Sequence, residues 1–94
     1  MVGWALYPND RFRRDGETKE YASSEQGRRH FCGNCGTALF YTNDTIFPGQ
    51  TDIQIATLDN PDAVAPQAQI QTAERIGWME RLDQLPQFER FPGM

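Results

Sequence analysis

Two cysteines and a single histidine, all within residues 30–35, carry the chemistry of this 94-residue chain. They lie in the run His30-Phe31-Cys32-Gly33-Asn34-Cys35-Gly36-Thr37. Two thiols with two residues between them, each followed by glycine, have the pattern of a zinc knuckle, a tight turn that points both sulfurs at one metal ion. Gly33 and Gly36 suit such a turn because it needs positive φ, which glycine supplies without steric cost. Backbone N–H groups of such a turn can point at the sulfurs and favour the thiolate. Structural zinc normally takes four ligands, so Cys32 and Cys35 are half a site. His30, two residues before Cys32, would share that residue's face in a strand and is a third candidate ligand. Its alternative is an ordinary solvated or hydrogen-bonded imidazole.

A dithiol redox centre is the rival reading of Cys-Gly-Asn-Cys. That chemistry wants a strand before the first cysteine and a helix beginning at it. Here the following residues, Thr37-Ala38-Leu39-Phe40-Tyr41, are β-branched and aromatic and favour a strand. The zinc reading is therefore preferred, with a plain pair of free thiols behind both.

The elements that must position this turn are short. Residues 2–7 alternate large and small side chains and read as a strand, stopped by Pro8-Asn9-Asp10. A polar loop follows, with the hairpin-type signal Asp15-Gly16. Strands are expected over 18–22, over 28–31 leading into the knuckle, and over 37–42 leaving it. Residues 52–58 alternate most clearly. Asp59-Asn60-Pro61-Asp62 can cap a short helical turn, with Asp59 as the cap. Residues 68–72 alternate again and suggest an edge strand. Trp78, Leu82 and Leu85 are spaced to lay one side of a segment on a core. About six short strands with little helix, no βαβ alternation and no internal repeat give a mainly β class, a small sandwich or folded-over sheet.

Composition agrees with one small domain over residues 1–94. A chain this short buries only about 60–65% of its unfolded surface, so its core is thin, and a metal or a partner subunit often helps. Hydrophobic residues make up 38% and aromatics 12%, too much for a disordered chain. The net charge of −4 argues against nucleic acid as a partner. The arginines at 11, 13 and 14, and at 28 and 29, read as solvated loops. No apolar run is long enough to span a bilayer, and no signal peptide is visible. Two cysteines in such a chain point to a reducing cytoplasm. No Ser-His-Asp set and no glycine-rich phosphate loop can be assembled.

Taken with its neighbours, the knuckle resembles the glutathione-dependent formaldehyde-activating (GFA) family, the zinc proteins that include centromere protein V. Tyr21-Ala22-Ser23-Ser24 resembles the segment before the family's knuckle, and His30 through Leu39 its cysteine-glycine-x-cysteine-glycine-threonine signature. Thr57-Leu58-Asp59-Asn60-Pro61 resembles its leucine-aspartate-x-proline turn. Ile70 through Trp78, and Leu85-Pro86-Gln87-Phe88, resemble its closing motifs. The resemblance implies a small Mss4-like (β-tent) folded sheet with a structural and a catalytic zinc site. Only the knuckle carries over, onto Cys32 and Cys35. The cysteine-rich N-terminal segment of the family is not matched, so the chain resembles the family's C-terminal two-thirds. Gln69 stands where a histidine is usual, and Ala56 where a glycine is usual.

These departures set the functional expectations. The first is a truncated, non-catalytic binding or assembly module, with no catalytic residue assigned. It would be a homodimer in which two knuckles meet and share one structural zinc; without that partner the site stays empty. The second is a carbon–sulfur lyase-type enzyme acting on glutathione–formaldehyde adducts, with ligands completed by another chain and a thiol of the glutathione type as small-molecule partner. A folded gene fragment without evolved activity is the third.

Overall fold

The structure, a computed structural model, describes residues 2–93. Five strands form one antiparallel sheet: β1 (Trp4–Pro8), β2 (Lys19–Ala22), β3 (Gly27–Phe31), β4 (Ala38–Asn43) and β5 (Gln50–Gln54). Their order across the sheet is β1-β5-β4-β3-β2. This is the mainly β folded sheet expected, and short 3₁₀ segments are its only helices among the described residues.

Strands β2, β3 and β4 form a meander, and β4 pairs with β5. Because side chains alternate faces along each strand, the register draws two rows across the sheet. Glu20, His30, Phe40, Ile53 and Ala5 stand opposite one another on one face. Tyr21, Arg29, Tyr41, Asp52 and Leu6 make the neighbouring row on the other.

The first row holds the core. Phe40 is buried at the sheet centre, and the ring of Phe12 meets it edge-on with centroids 5.1 Å apart. Phe12 belongs to the loop between β1 and β2. That loop starts at one edge of the sheet and ends at the other, so it crosses the face and covers Phe40. Asn9 anchors its start: its N–H donates to Gly49 O at 2.9 Å, and its side-chain oxygen accepts from Thr51 Oγ1 at 2.6 Å. Asp15-Gly16 therefore closes no hairpin, although Gly16 does take positive φ (89°). β1 instead pairs with β5, the last strand in sequence.

Four further expectations are corrected. The strand over 52–58 stops at Gln54: Ile55 N–H still continues the ladder to Gly3 O at 2.8 Å, but Ile55–Thr57 winds into a 3₁₀ turn that buries Ile55 and is closed by Leu58 N–H to Ile55 O at 3.0 Å. Residues 68–72 form no strand: Ile70 is 75% exposed, and Gln71 adopts the left-handed conformation (φ 55°) that breaks an extended run. The segment Gly77–Gln84 leaves Trp78 exposed and only half-buries Leu82, and Leu85 beyond it is exposed, so these three do not lay a common side on a core. The turn at Pro61–Ala63 forms with proline at its start, but Asn60, not Asp59, occupies the cap position and makes no capping hydrogen bond.

Phe40 and Ile55 are the only buried hydrophobic residues among those described. The radius of gyration is 15.7 Å, against about 12 Å for a compact chain of this length. In the C-terminal third, Ile76, Phe88 and Phe91 are all more than half exposed. No helix among the described residues is long and apolar enough to cross a membrane.

Candidate metal centre

The knuckle is the connection between β3 and β4. Cys32 N–H donates to Thr37 O at 2.9 Å, which closes the base of the turn where the two strands meet. Gly36 N–H donates back to Cys32 O at 2.8 Å and closes the loop itself. A register irregularity between His30 and Phe31 lets the ladder end here. Strand leads in and strand leads out, so no helix begins at Cys32 and a thioredoxin-type arrangement is absent.

The two glycines have different tasks. Gly36 takes positive φ (81°) with open space around it, so glycine serves the backbone. Gly33 does not take positive φ, which corrects the expectation for it. Its missing side chain makes room for Lys19 of β2, whose Cγ, Cδ and Cε would lie 3.1–3.4 Å from a Cβ at that position. Lys19 thus lies against the turn from the neighbouring strand.

Each sulfur has its own hydrogen bond. Asn34 N–H points at Cys32 Sγ at 3.4 Å, the backbone donation expected of a knuckle. Cys35 Sγ lies 3.1 Å from Thr37 Oγ1. The Thr37 side chain and backbone, then the Cys32 thiol, hold the Cys35 thiol below its usual pKa. Cys35 is exposed, Cys32 half-buried, and both are free. Thr37 belongs to the sequence signature but reads there only as a strand residue. Lys19 carries no sequence signal at all, since its place depends on pairing opposite Phe31.

His30 is elsewhere. Its ring stacks on Phe40, with centroids 4.3 Å apart and planes 17° from parallel. Nδ1 lies 3.5 Å from Thr18 Oγ1. Burial lowers its pKa from 6.5; Glu20 opposes that shift and Arg14 adds to it. His30 is a core histidine on the sheet face.

Among the described residues no group of three or more His, Cys, Asp or Glu side chains gathers to hold a metal. The donor set fits two corners of a tetrahedral thiolate site and no more. Away from the knuckle, a groove of about 940 Å³ runs between β1 and the segment 64–79, lined by Trp4, Leu6, Ile55, Ile70 and Ile76 among others.

This combination, a thin β-sheet whose central hairpin ends in a Cys-Gly-Asn-Cys-Gly-Thr turn, agrees with comparison to known families. Residues 2–74 match the family model described as glutathione-dependent formaldehyde-activating enzyme. The match covers well over half of the chain, and the chain belongs to the GFA family. Neither a search of curated proteins nor one of solved structures gives a match.

Proposed function

We propose that this GFA-family chain is a binding or assembly module without catalysis of its own, and that Cys32 and Cys35 supply two thiolates to a structural zinc shared with a second copy. The observation that carries the reading is the pairing of two free thiols at the end of the β3–β4 hairpin, with no group of three or more donors gathered there among the described residues. Two such turns related by a two-fold axis supply the four thiolates that zinc prefers. The exposed apolar side chains of the C-terminal third favour self-association as well.

Native mass spectrometry of the reduced chain with zinc tests this. A dimer carrying one zinc, lost in Cys32→Ser with Cys35→Ser, is the expected result. A monomer without metal overturns it.

Family membership favours a second reading, a carbon–sulfur lyase-type enzyme acting on glutathione–formaldehyde adducts with its ligands completed by another chain. Under that reading the zinc-supplemented chain accelerates the condensation of glutathione with formaldehyde. A rate equal to the uncatalysed one sinks it for the isolated chain.

A further inference from the structure

We infer that the Cys32–Cys35 turn is a thiol–disulfide switch: it reduces a small-molecule disulfide and closes an internal Cys32–Cys35 bond. As control of metal holding, this rests on the zinc reading above; as chemistry of the turn, it stands without it.

The first argument is reach. The two cysteines are the first and fourth residues of a turn closed by the Gly36 N–H to Cys32 O bond. That bond runs from the fifth residue back to the first, an α-turn, and one turn of helix sets residues three apart about 5 Å from each other at Cα. Disulfides span Cα separations of about 4.4–6.8 Å. The bond therefore forms without moving β3 or β4, and the ladder bond from Cys32 N–H to Thr37 O is retained.

The second argument is asymmetry. Cys35 is exposed, and nothing lies within 4 Å of the side-chain position at the neighbouring Gly36, so an incoming disulfide has open access. Cys32 is half-buried and its sulfur accepts from Asn34 N–H at 3.4 Å. Cys35 is thus the attacking sulfur and Cys32 the resolving one.

The steps balance. Cys35 sulfur attacks one sulfur of the disulfide R–S–S–R, the R–S–S–R bond breaks, and the first RS⁻ leaves with the proton from Cys35. The Cys32 sulfur then attacks the Cys35 sulfur of the mixed disulfide. The Cys32–Cys35 bond forms, and the second RS⁻ leaves with the proton from Cys32. The chain loses two electrons and two protons, and the small-molecule disulfide becomes two thiols. The oxidised turn has no thiolate left to offer a metal.

The test uses the full chain, reduced and freed of metal by a chelator, with oxidised glutathione as the probe. Intact mass and thiol alkylation are followed with time. Wild type is expected to lose both alkylatable thiols with the mass of an internal disulfide. Cys32→Ser should stop at one glutathione adduct on Cys35, and Cys35→Ser should react at least ten-fold more slowly. A wild-type chain that stays reduced, keeps stable glutathione adducts, or forms only interchain disulfides overturns the switch. These readouts are free of zinc, so they are independent of whether the shared zinc site exists. If both hold, oxidised glutathione also strips zinc from the loaded chain.

Discussion

The His30 imidazole lies almost flat on the Phe40 ring, 4.3 Å between centroids, at the middle of the row that crosses all five strands. A histidine two residues from a metal-type cysteine is thereby used for packing. His30→Ala should lower stability by about 1–2 kcal/mol, from the lost ring contact and burial. It should leave zinc per subunit unchanged. Urea denaturation with metal analysis checks both, and loss of zinc from a folded variant would make His30 a ligand after all.

On the other face, the Asp52 carboxyl is pushed above its ordinary 3.8 by burial. The folded chain thus favours the protonated acid. That contribution to stability is complete below about pH 3.8 and is lost as pH rises through the raised folded value. Asp52→Asn stays neutral at every pH. Denaturation midpoints of variant and wild type should therefore coincide in acid and separate towards pH 7, with the variant the more stable. The reverse order at neutral pH would show that the carboxylate has a favourable partner.

At Gly36, φ of 81° in open space isolates a pure backbone effect. Gly36→Ala should cost about 1–2 kcal/mol, the penalty of the left-handed region for an L-residue. It should also weaken metal capture, because the turn that aligns the two sulfurs relaxes. Comparing denaturation with a zinc competition assay against a chromophoric chelator separates the two effects. Unchanged stability would mean that the turn takes another shape.

The Thr37 hydroxyl, 3.1 Å from Cys35 Sγ, is the largest cause of the lowered thiol pKa there. Thr37→Val removes it and should move the pH profile of Cys35 alkylation upward in the metal-free chain, with little change in fold. A profile that does not move would assign the effect to the backbone of the turn.

What could be read from the sequence was what is local. The strands flanking the knuckle were legible because β-branched and aromatic residues surround a turn marked by two glycines. The turn at Pro61 was legible from proline chemistry. The long-range choices were not. Nothing in Trp4–Pro8 says that its partner is Gln50–Gln54, and nothing in Phe12 says that it lies on Phe40. Alternation also misled at 68–72, where Ile70 looks like the inward residue of a strand but has no sheet edge to bury it. At the site, the spacing of Cys32 and Cys35 with their two glycines was enough to place a tight turn between two strands. The role of Lys19 required the register of β2 against β3, which only the fold supplies.

The strand order has a consequence for the sequence of events in folding. β2, β3 and β4 meet through short connections, whereas each residue of β1 waits for a partner 42 to 50 residues later in the chain. Loop closure is costlier over the longer span, so the meander forms first and the outer strand docks last. The cysteine turn belongs to the early half. Under the zinc reading proposed above, the metal ion is captured on a nascent hairpin and acts as a clamp for nucleation rather than a fastener on a finished sheet. Pulsed hydrogen exchange during refolding, with and without zinc, should show protection at β3 and β4 advanced by the metal and protection at β1 trailing in both cases.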